Sequence, residues 1–205
     1  MIKHLAIQMD GNRRWAQKNK LNTFLGHYHG VDAAQNAIKF CLEKKIPFLS
    51  LWALSIENYF KRSKSELDYL FNLLITKTEE NLEKYIKEKV KVKFIGDRTL
   101  FPNFVIPTIE KIEGETKNFE RMQLNILFCY AGKQEIVAGL KNIVSKVLKN
   151  EILIESINEQ NFNDFLWLAG VPDPDIIIKT GGNQRLSNFM LFQCAYSELF
   201  FLDTF

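Results

Sequence analysis

Three short stretches carry residue types that could do phosphate chemistry together. In Ala6-Ile-Gln-Met-Asp10-Gly11-Asn12-Arg13-Arg14-Trp15-Ala16 an apolar run ends in a carboxylate, a glycine and two arginines. Read as a strand running into a helix that starts near Asn12, it leaves the amides of Gly11 to Arg14 in an open first turn. Such a turn attracts anions, because free N–H groups and the helix dipole both point outward. Arg13 and Arg14 can each fork onto phosphate oxygens, and Asp10 supplies a hard oxygen able to hold Mg2+ against the same phosphates. In Lys179-Thr-Gly-Gly-Asn-Gln-Arg185-Leu186-Ser187-Asn188 a glycine turn lets backbone amides approach an anion, and Lys179, Arg185 and Ser187 complete a second cradle. In Ser55-Ile56-Glu57-Asn58-Tyr59-Phe-Lys61-Arg62, Asn58 can relay a proton to a phosphate oxygen and Arg62 can stabilise a departing diphosphate. Two cradles imply two phosphorylated groups, one of them served by a metal carboxylate.

Other residues have two readings. His27, in Leu25-Gly26-His27, could donate to a phosphate or shuttle a proton. Trp15 is either core or a stacking wall, and Glu198 is either an exposed strand acid or a metal ligand. His4 and His29 read as surface or packing residues. An aspartyl phosphatase built on Asp10 would want a second acid two residues along, and Asn12 stands there.

The 205 residues fit one domain with an ordinary core. A net charge of +3 on 27 basic and 24 acidic residues is too balanced for a nucleic-acid binder. Only six residues are arginine, and four of them (Arg13, Arg14, Arg62, Arg185) fall in the three stretches, in a chain that otherwise uses lysine. Cys41, Cys129 and Cys194 are far apart in apolar surroundings and read as reduced core residues of a cytoplasmic protein. The first residues lack the pattern of a signal peptide, and no apolar run is long enough to span a bilayer, so membrane contact is expected to be peripheral.

The elements that must position these residues alternate. Leu5 to Met9, Phe48 to Leu54, Val90 to Ile95, Leu124 to Tyr130 and Ile176 to Lys179 read as strands, with Glu198 to Leu202 as an edge strand. Leu21 to His27 reads as a polar connection. Helices are expected over Tyr28 to Lys45, Ser65 to Glu88, Phe104 to Glu115 and Gln134 to Leu148, with a shorter one over Asn161 to Leu168 and a last one capped by Ser187 and running to Cys194. The first half of the Ser65 to Glu88 helix is apolar nearly all round, which suits core packing or the wall of a lipophilic tunnel. The fold class is therefore α/β: a single domain, 1–205, with a central, mostly parallel sheet flanked by helices and ligands at the strand carboxyl ends. Asp10, the Ser55 to Asn58 loop, Asp97, Tyr130 and the Thr180 to Ser187 loop should share one rim.

Taken in order along the whole chain, these motifs resemble the cis-prenyltransferases of undecaprenyl diphosphate synthase type: His4 to Ala16, Gly26-His27, Ser55 to Tyr59, Thr180 to Phe189 and Ala195-Tyr-Ser-Glu198-Leu. The resemblance implies a homodimeric α/β enzyme that condenses isopentenyl diphosphate repeatedly onto an allylic diphosphate such as farnesyl diphosphate, making the lipid carrier of the bacterial cell wall. By the same resemblance Asp10 would hold Mg2+, and Gly11, Asn12, Arg13, Arg14 and His27 would hold the allylic diphosphate. Trp15 and Asn58 would flank the reacting carbons, with Ser55, Ile56, Glu57 and Tyr59 in the same motif, and Arg62 would face the diphosphates. Lys179, Arg185, Leu186 and Ser187 would form the isopentenyl diphosphate site, Glu198 would contribute to the metal, across a dimer interface or within the chain, and the Ser65 to Glu88 helix would line a tunnel.

This sequence departs from the family pattern in several places. Arg13 stands where glycine is usual, Thr23 where an arginine often binds the allylic diphosphate, and Tyr59 where tryptophan is usual. Lys179 replaces arginine, and Asn183-Gln184 replaces an acid and its neighbour. Lysine for arginine forfeits a bidentate contact. The family continues past the position of Phe205 into a Trp-Pro-Asp-Phe segment and a terminal helix with an Arg-X-Gly tail. A catalytically weak relative acting as a partner subunit or prenyl-lipid binder is the competing expectation.

Overall fold

The structure, a computed structural model, describes residues 2–205. Six strands form one all-parallel sheet: β1 (His4–Gln8), β2 (Phe48–Ser55), β3 (Val90–Ile95), β4 (Met122–Tyr130), β5 (Ile176–Lys179) and β6 (Glu198–Phe201), in the order β3-β4-β2-β1-β5-β6. The central strands are apolar on both faces because both faces are covered, as a parallel sheet requires. Leu5, Leu49, Leu51, Val92 and Phe94 point to one side, where α2 (Thr23–Lys44), α3 (Ile56–Lys61), α4 (Lys64–Glu80), α5 (Leu82–Lys87) and α6 (Ile106–Thr116) enclose the larger core. Ala6, Trp52, Leu127 and Ile177 point to the other, against Leu168, Val171, Phe189 and Met190. The remaining helices are α1 (Asn12–Lys18), which follows β1, and α7 (Gly132–Leu148), which follows β4.

Four expected elements differ. The connection over Leu21 to His27 is already helix from Thr23, because Asn22 is not a loop filler but the N-cap, its side chain accepting from the Phe24 amide at 3.0 Å. The helix expected over Ser65 to Glu88 starts at Lys64 and breaks at Asn81, whose Nδ2 donates to the Lys77 carbonyl. The helix expected over Asn161 to Leu168 is a single tight turn, Phe162–Phe165. The one expected from Ser187 to Cys194 is absent. Ser187, Asn188 and Met190 sit at positive φ (51°, 74° and 43°), held there because Phe189 stacks on Trp52 at 5.0 Å and the Asn188 carbonyl accepts from the Gly132 amide.

Of the expected rim, Asp97 instead caps a turn at the β3 edge, and Tyr130 is buried with its hydroxyl donating to Glu135 at 2.6 Å. His4 is a packing residue, fully buried, while His29 is exposed and lies against Trp15. None of the three cysteines is disulfide-bonded. Among the described residues no helix is long and apolar enough to cross a membrane.

Candidate active site

Parallel strands deliver their carboxyl ends to one edge, and there β1, β2 and the loop after β5 frame a cleft of about 730 Å³. Its wall includes Asp10, Gly11, Asn12, Arg13 and Arg14 from the first motif, His27 from α2, Ser55, Glu57, Asn58 and Arg62 from the second, and Arg185 and Ser187 from the third. Five cationic side chains, with Lys61 the fifth beside Arg13, Arg14, Arg62 and Arg185, face two acids, Asp10 and Glu57. That imbalance suits highly charged anions.

Trp15, Ile56, Tyr59, Lys179, Leu186 and Glu198 do not line the cleft. Ile56 is core and Tyr59 packs on it. Lys179 is 2% exposed, and its ammonium donates to Asp10 Oδ2 at 2.8 Å instead of facing a ligand. Arg14 is equally committed, donating to the Gly181 carbonyl at 2.6 Å and to Asp10 Oδ1 at 3.1 Å. Burial works against the Asp10 carboxylate, but the hydrogen bond and charge of Lys179, joined by Arg14, overcome it and hold the pKa below the usual aspartate value.

The glycine turn differs from its expected role. The amides of Gly181 and Gly182 donate to the carbonyls of Thr204 (2.6 Å) and Leu202 (3.0 Å), so side chains, not glycine amides, face the anion there. At the first turn no side chain caps α1, and Gly11, at φ 112°, leaves no room for a Cβ because the Phe205 ring lies against it.

Two donors on this wall, His27 Nε2 and Arg62 Nη1, have no hydrogen-bond partner, nor has Glu66 Oε1 behind them. Glu66 Oε1 stands 3.6 Å from His27 and 3.5 Å from Arg62, a charged cluster without good hydrogen bonds. Burial, then the Arg62 charge, lowers the His27 pKa to about 4, so the imidazole is neutral near pH 7 and offers one N–H. Buried polar groups nearly always find partners, and here the two donors share one carboxylate oxygen at ion-pair distance.

Directly beneath lies an apolar channel of about 110 Å³ between α2 and α4, lined by Val31, Ala34, Leu51, Leu70, Leu74 and Ile126 among others. Met9, Asn12, His27 and Ala53 line both spaces, so the channel opens into the cleft at His27.

The sequence model of the family described as "Putative undecaprenyl diphosphate synthase" matches residues 8–205. The chain belongs to this family. Within the undecaprenyl diphosphate synthase family, it is 42% identical over 205 residues to the tritrans,polycis-undecaprenyl-diphosphate synthase (geranylgeranyl-diphosphate specific) of Pyrococcus furiosus, covering 99% of this chain and 77% of that one. It superposes on lavandulyl diphosphate synthase from Lavandula x intermedia, crystallised with dimethylallyl diphosphate, with a TM-score of 0.93 at 29% identity, over 99% of this chain and 87% of that one. A probable undecaprenyl diphosphate synthase from Campylobacter jejuni gives 0.79 at 34% identity, over 100% and 86%. The fold and the prenyltransferase class are those of the family.

A divalent metal at Asp10 would meet a single carboxylate whose Oδ2 accepts from Lys179 and whose Oδ1 accepts from Arg14. Among the described residues no three His, Cys, Asp or Glu side chains cluster, so there is no all-protein cage. Asp10 is 37% exposed at the cleft edge, and one ionised carboxylate suits Mg2+, which keeps waters and takes its other ligands from substrate phosphates. Glu198 opens β6 and pairs in register with Ile176, whereas Gln8, two residues before Asp10, pairs with Lys179. The two acids therefore sit at opposite ends of the sheet within one chain.

The sequence reading did not single out Gln17 and Trp52 of the cleft, or Glu66 behind it. Only Glu66 left a signal, its i,i+4 spacing from Arg62.

Proposed function

We propose that this protein condenses isopentenyl diphosphate onto an allylic diphosphate, with farnesyl diphosphate as starter, forming a cis double bond at each addition. The product is a long polyprenyl diphosphate such as undecaprenyl diphosphate, the lipid carrier of cell-wall synthesis. The observation that carries this reading is the junction at His27, where a cleft rich in cations opens onto an apolar channel. A ligand matching both has an anionic head and a hydrocarbon tail.

In this reading Arg13, Arg62, His27 and the first-turn amides hold the allylic diphosphate, with its chain directed down the channel. Arg185 and Ser187 hold isopentenyl diphosphate across the cleft. The allylic C–O bond breaks and its electron pair leaves with the diphosphate, while the isopentenyl double bond closes on the allylic carbon. The adjacent carbon then loses a proton. Asn58, exposed on α3 with its amide anchored to Ser55 Oγ at 3.0 Å, passes that proton to a diphosphate oxygen. Mg2+ held by Asp10 and the diphosphate oxygens would supply charge neutralisation as the leaving group departs. Lys179 acts through Asp10, keeping it ionised and oriented.

The assembly proposed is a homodimer, with Glu198 reaching the metal from a second copy. Exposed Leu199 and Phe200 on β6 and exposed Val137, Leu140, Val144 and Leu148 on α7 are apolar surface that such a partner would cover. The protein would work in the cytoplasm and meet the membrane peripherally through its lipid product. The competing reading, a prenyl-lipid-binding partner subunit, draws on the engaged glycine amides and on Lys179 turned away from the cleft.

The test is incorporation of labelled isopentenyl diphosphate with farnesyl or geranylgeranyl diphosphate, with Mg2+ and with a chelator. Elongated product lost on chelation supports the enzyme. Saturable binding of the allylic diphosphate without incorporation leaves the binder, and absence of both overturns the two readings together.

A further inference from the structure

One residue of the third motif holds two other elements at once. Ser187, Asn188 and Met190 have positive φ, a region that L residues avoid and that asparagine enters more readily than most. Such backbone persists only where its surroundings fix it. At Asn188 both the backbone carbonyl and the side-chain amide take part. The carbonyl accepts from the Gly132 amide at 2.7 Å, and Oδ1 accepts from the Lys133 amide at 2.8 Å. These are first-turn amides of α7, a helix without a side-chain cap at its own N-terminus. The approach is close, since a Cβ on Gly132 would lie 3.2 Å from the Asn188 carbonyl oxygen and 2.9 Å from the Leu191 amide nitrogen.

The other half of the side chain reaches toward α3. Asn188 Nδ2 donates to Glu57 Oε1 at 2.6 Å and to Gln134 Oε1 at 3.2 Å. Glu57 stands in the first turn of α3, immediately before Asn58, and Asn188 immediately follows Ser187. One hydrogen bond to a carboxylate, stronger than a bond between neutral groups, therefore joins the loop that carries Arg185 and Ser187 to the turn that carries Asn58. Strand pairing does not set the gap between these segments, because α3 follows β2, the loop follows β5, and β1 lies between the two strands. Phe189, stacked on Trp52 at 5.0 Å, anchors the loop to β2. Among the described residues, the bond from Asn188 to Glu57 is the hydrogen bond that ties this loop to α3.

We propose that Asn188 is a positioning residue: through Glu57 it fixes the distance between the isopentenyl diphosphate loop and the proton relay at Asn58. This rests on the prenyltransferase reading of the same site. Asn188→Asp is the sharpest variant, because aspartate tolerates the same backbone and still offers an oxygen to the Lys133 amide, but sets a second carboxylate against Glu57. Steady-state assays use the full chain with an allylic diphosphate, isopentenyl diphosphate and Mg2+. Asn188→Asp is expected to lower kcat by about 10–100-fold, the order that a misplacement of about 1 Å costs. KM for isopentenyl diphosphate is expected to rise while KM for the allylic diphosphate holds. Glu57→Gln keeps an acceptor for Asn188 and is expected to cost little. Combined with Asn188→Asp it reverses the bond, the donor now standing on α3, and most of kcat and KM is expected to return. A role confined to capping α7 would give no loss in Asn188→Asp and no rescue by Glu57→Gln. If the wild type elongates and Asn188→Asp keeps its kcat and KM, or is not rescued, the clasp is overturned and the prenyltransferase reading stands. If the wild type does not elongate, both fall. Should Asn188→Asp fail to fold, Glu57→Ala, which leaves the strained loop unaltered in sequence, decides: a raised KM for isopentenyl diphosphate supports the clasp and an unchanged one overturns it.

Discussion

Asp10 and Lys179 behave as a pair, and that changes what a mutation at either means. From the sequence, Asp10 stands at a rim and its loss should leave the fold untouched; in the structure its carboxylate is the partner of a buried ammonium. Removing one member of a buried pair strands the other charge, at roughly 3–5 kcal/mol when both are enclosed, and at less here because Asp10 is half-exposed. Asp10→Ala is therefore expected to abolish label incorporation and also to lower stability by about 2 kcal/mol in urea unfolding. The double variant Asp10→Ala/Lys179→Met should recover most of that stability and none of the turnover, and independent additive losses would reject the pairing. Gly26 gives a second prediction at this scale. A Cβ there would lie 2.2 Å from the Asn12 carbonyl oxygen and 2.9 Å from Ala16 Cβ, so α1 has to move. Gly26→Ala should cost about 1–3 kcal/mol and raise KM for the allylic diphosphate, because α1 carries Arg13 and Arg14. The sequence made the convergence of Asp10, Arg13, Arg14, Asn58, Arg62, Arg185 and Ser187 legible, since each follows a strand. It could not tell that Lys179, the last residue of a four-residue strand, turns inward, or that residues 202–204 take up the glycine amides.

Elements were legible where periodicity was long or apolar runs were unbroken. All six strands stand within two residues of their expected limits; for the central strands the reason is that a strand buried on both faces must be a short apolar run closed by polar residues. Helix starts were harder, and α2 shows why. Asn22 sits in a stretch, Gln17 to Thr23, that is polar except for Leu21, and only the structure distinguishes a capping asparagine from a loop asparagine. The distinction matters for the site, since the first turn of α2 leads straight to His27. Asn22→Ala should destabilise the protein by about 1 kcal/mol, read as a lower urea midpoint. Hydrogen exchange at residues 23–27 should quicken more than in β2, and an even loss of protection across the chain would argue against a local cap. The break at Asn81 was hidden for a related reason. Its donation to the Lys77 carbonyl is a local side-chain competition with the helix, which apolar periodicity does not register.

At the scale of the whole molecule, a buried polar seam crosses the sheet at His4, and it makes stability depend on acid. His4 Nδ1 donates to the Pro172 carbonyl at 2.6 Å, which leaves Nε2 to accept from Ser50 Oγ at 2.8 Å; that hydroxyl also accepts from Asn125 Nδ2 at 3.1 Å. This tautomer satisfies every member while the ring is neutral. Burial lowers the His4 pKa to about 4, and that of His27 at the cleft is lowered to about 4 as well. Between these values and the unfolded value near 6.5, the unfolded chain binds more protons than the folded one, so unfolding free energy rises with pH through that window. Stability is thus complete above about pH 6.5 and falls as the pH drops toward 4, by roughly 3 kcal/mol for the fully enclosed His4 alone. Urea midpoints measured from pH 7.5 to 4 should trace that slope, and His4→Gln should flatten it while lowering the plateau. In His27→Gln the slope should also shrink, but with KM for the allylic diphosphate raised, because His27 stands at the mouth of the channel and His4 lies in a seam remote from it. A wild-type midpoint that held steady from pH 6.5 to 4 would mean that neither imidazole is kept neutral by the fold.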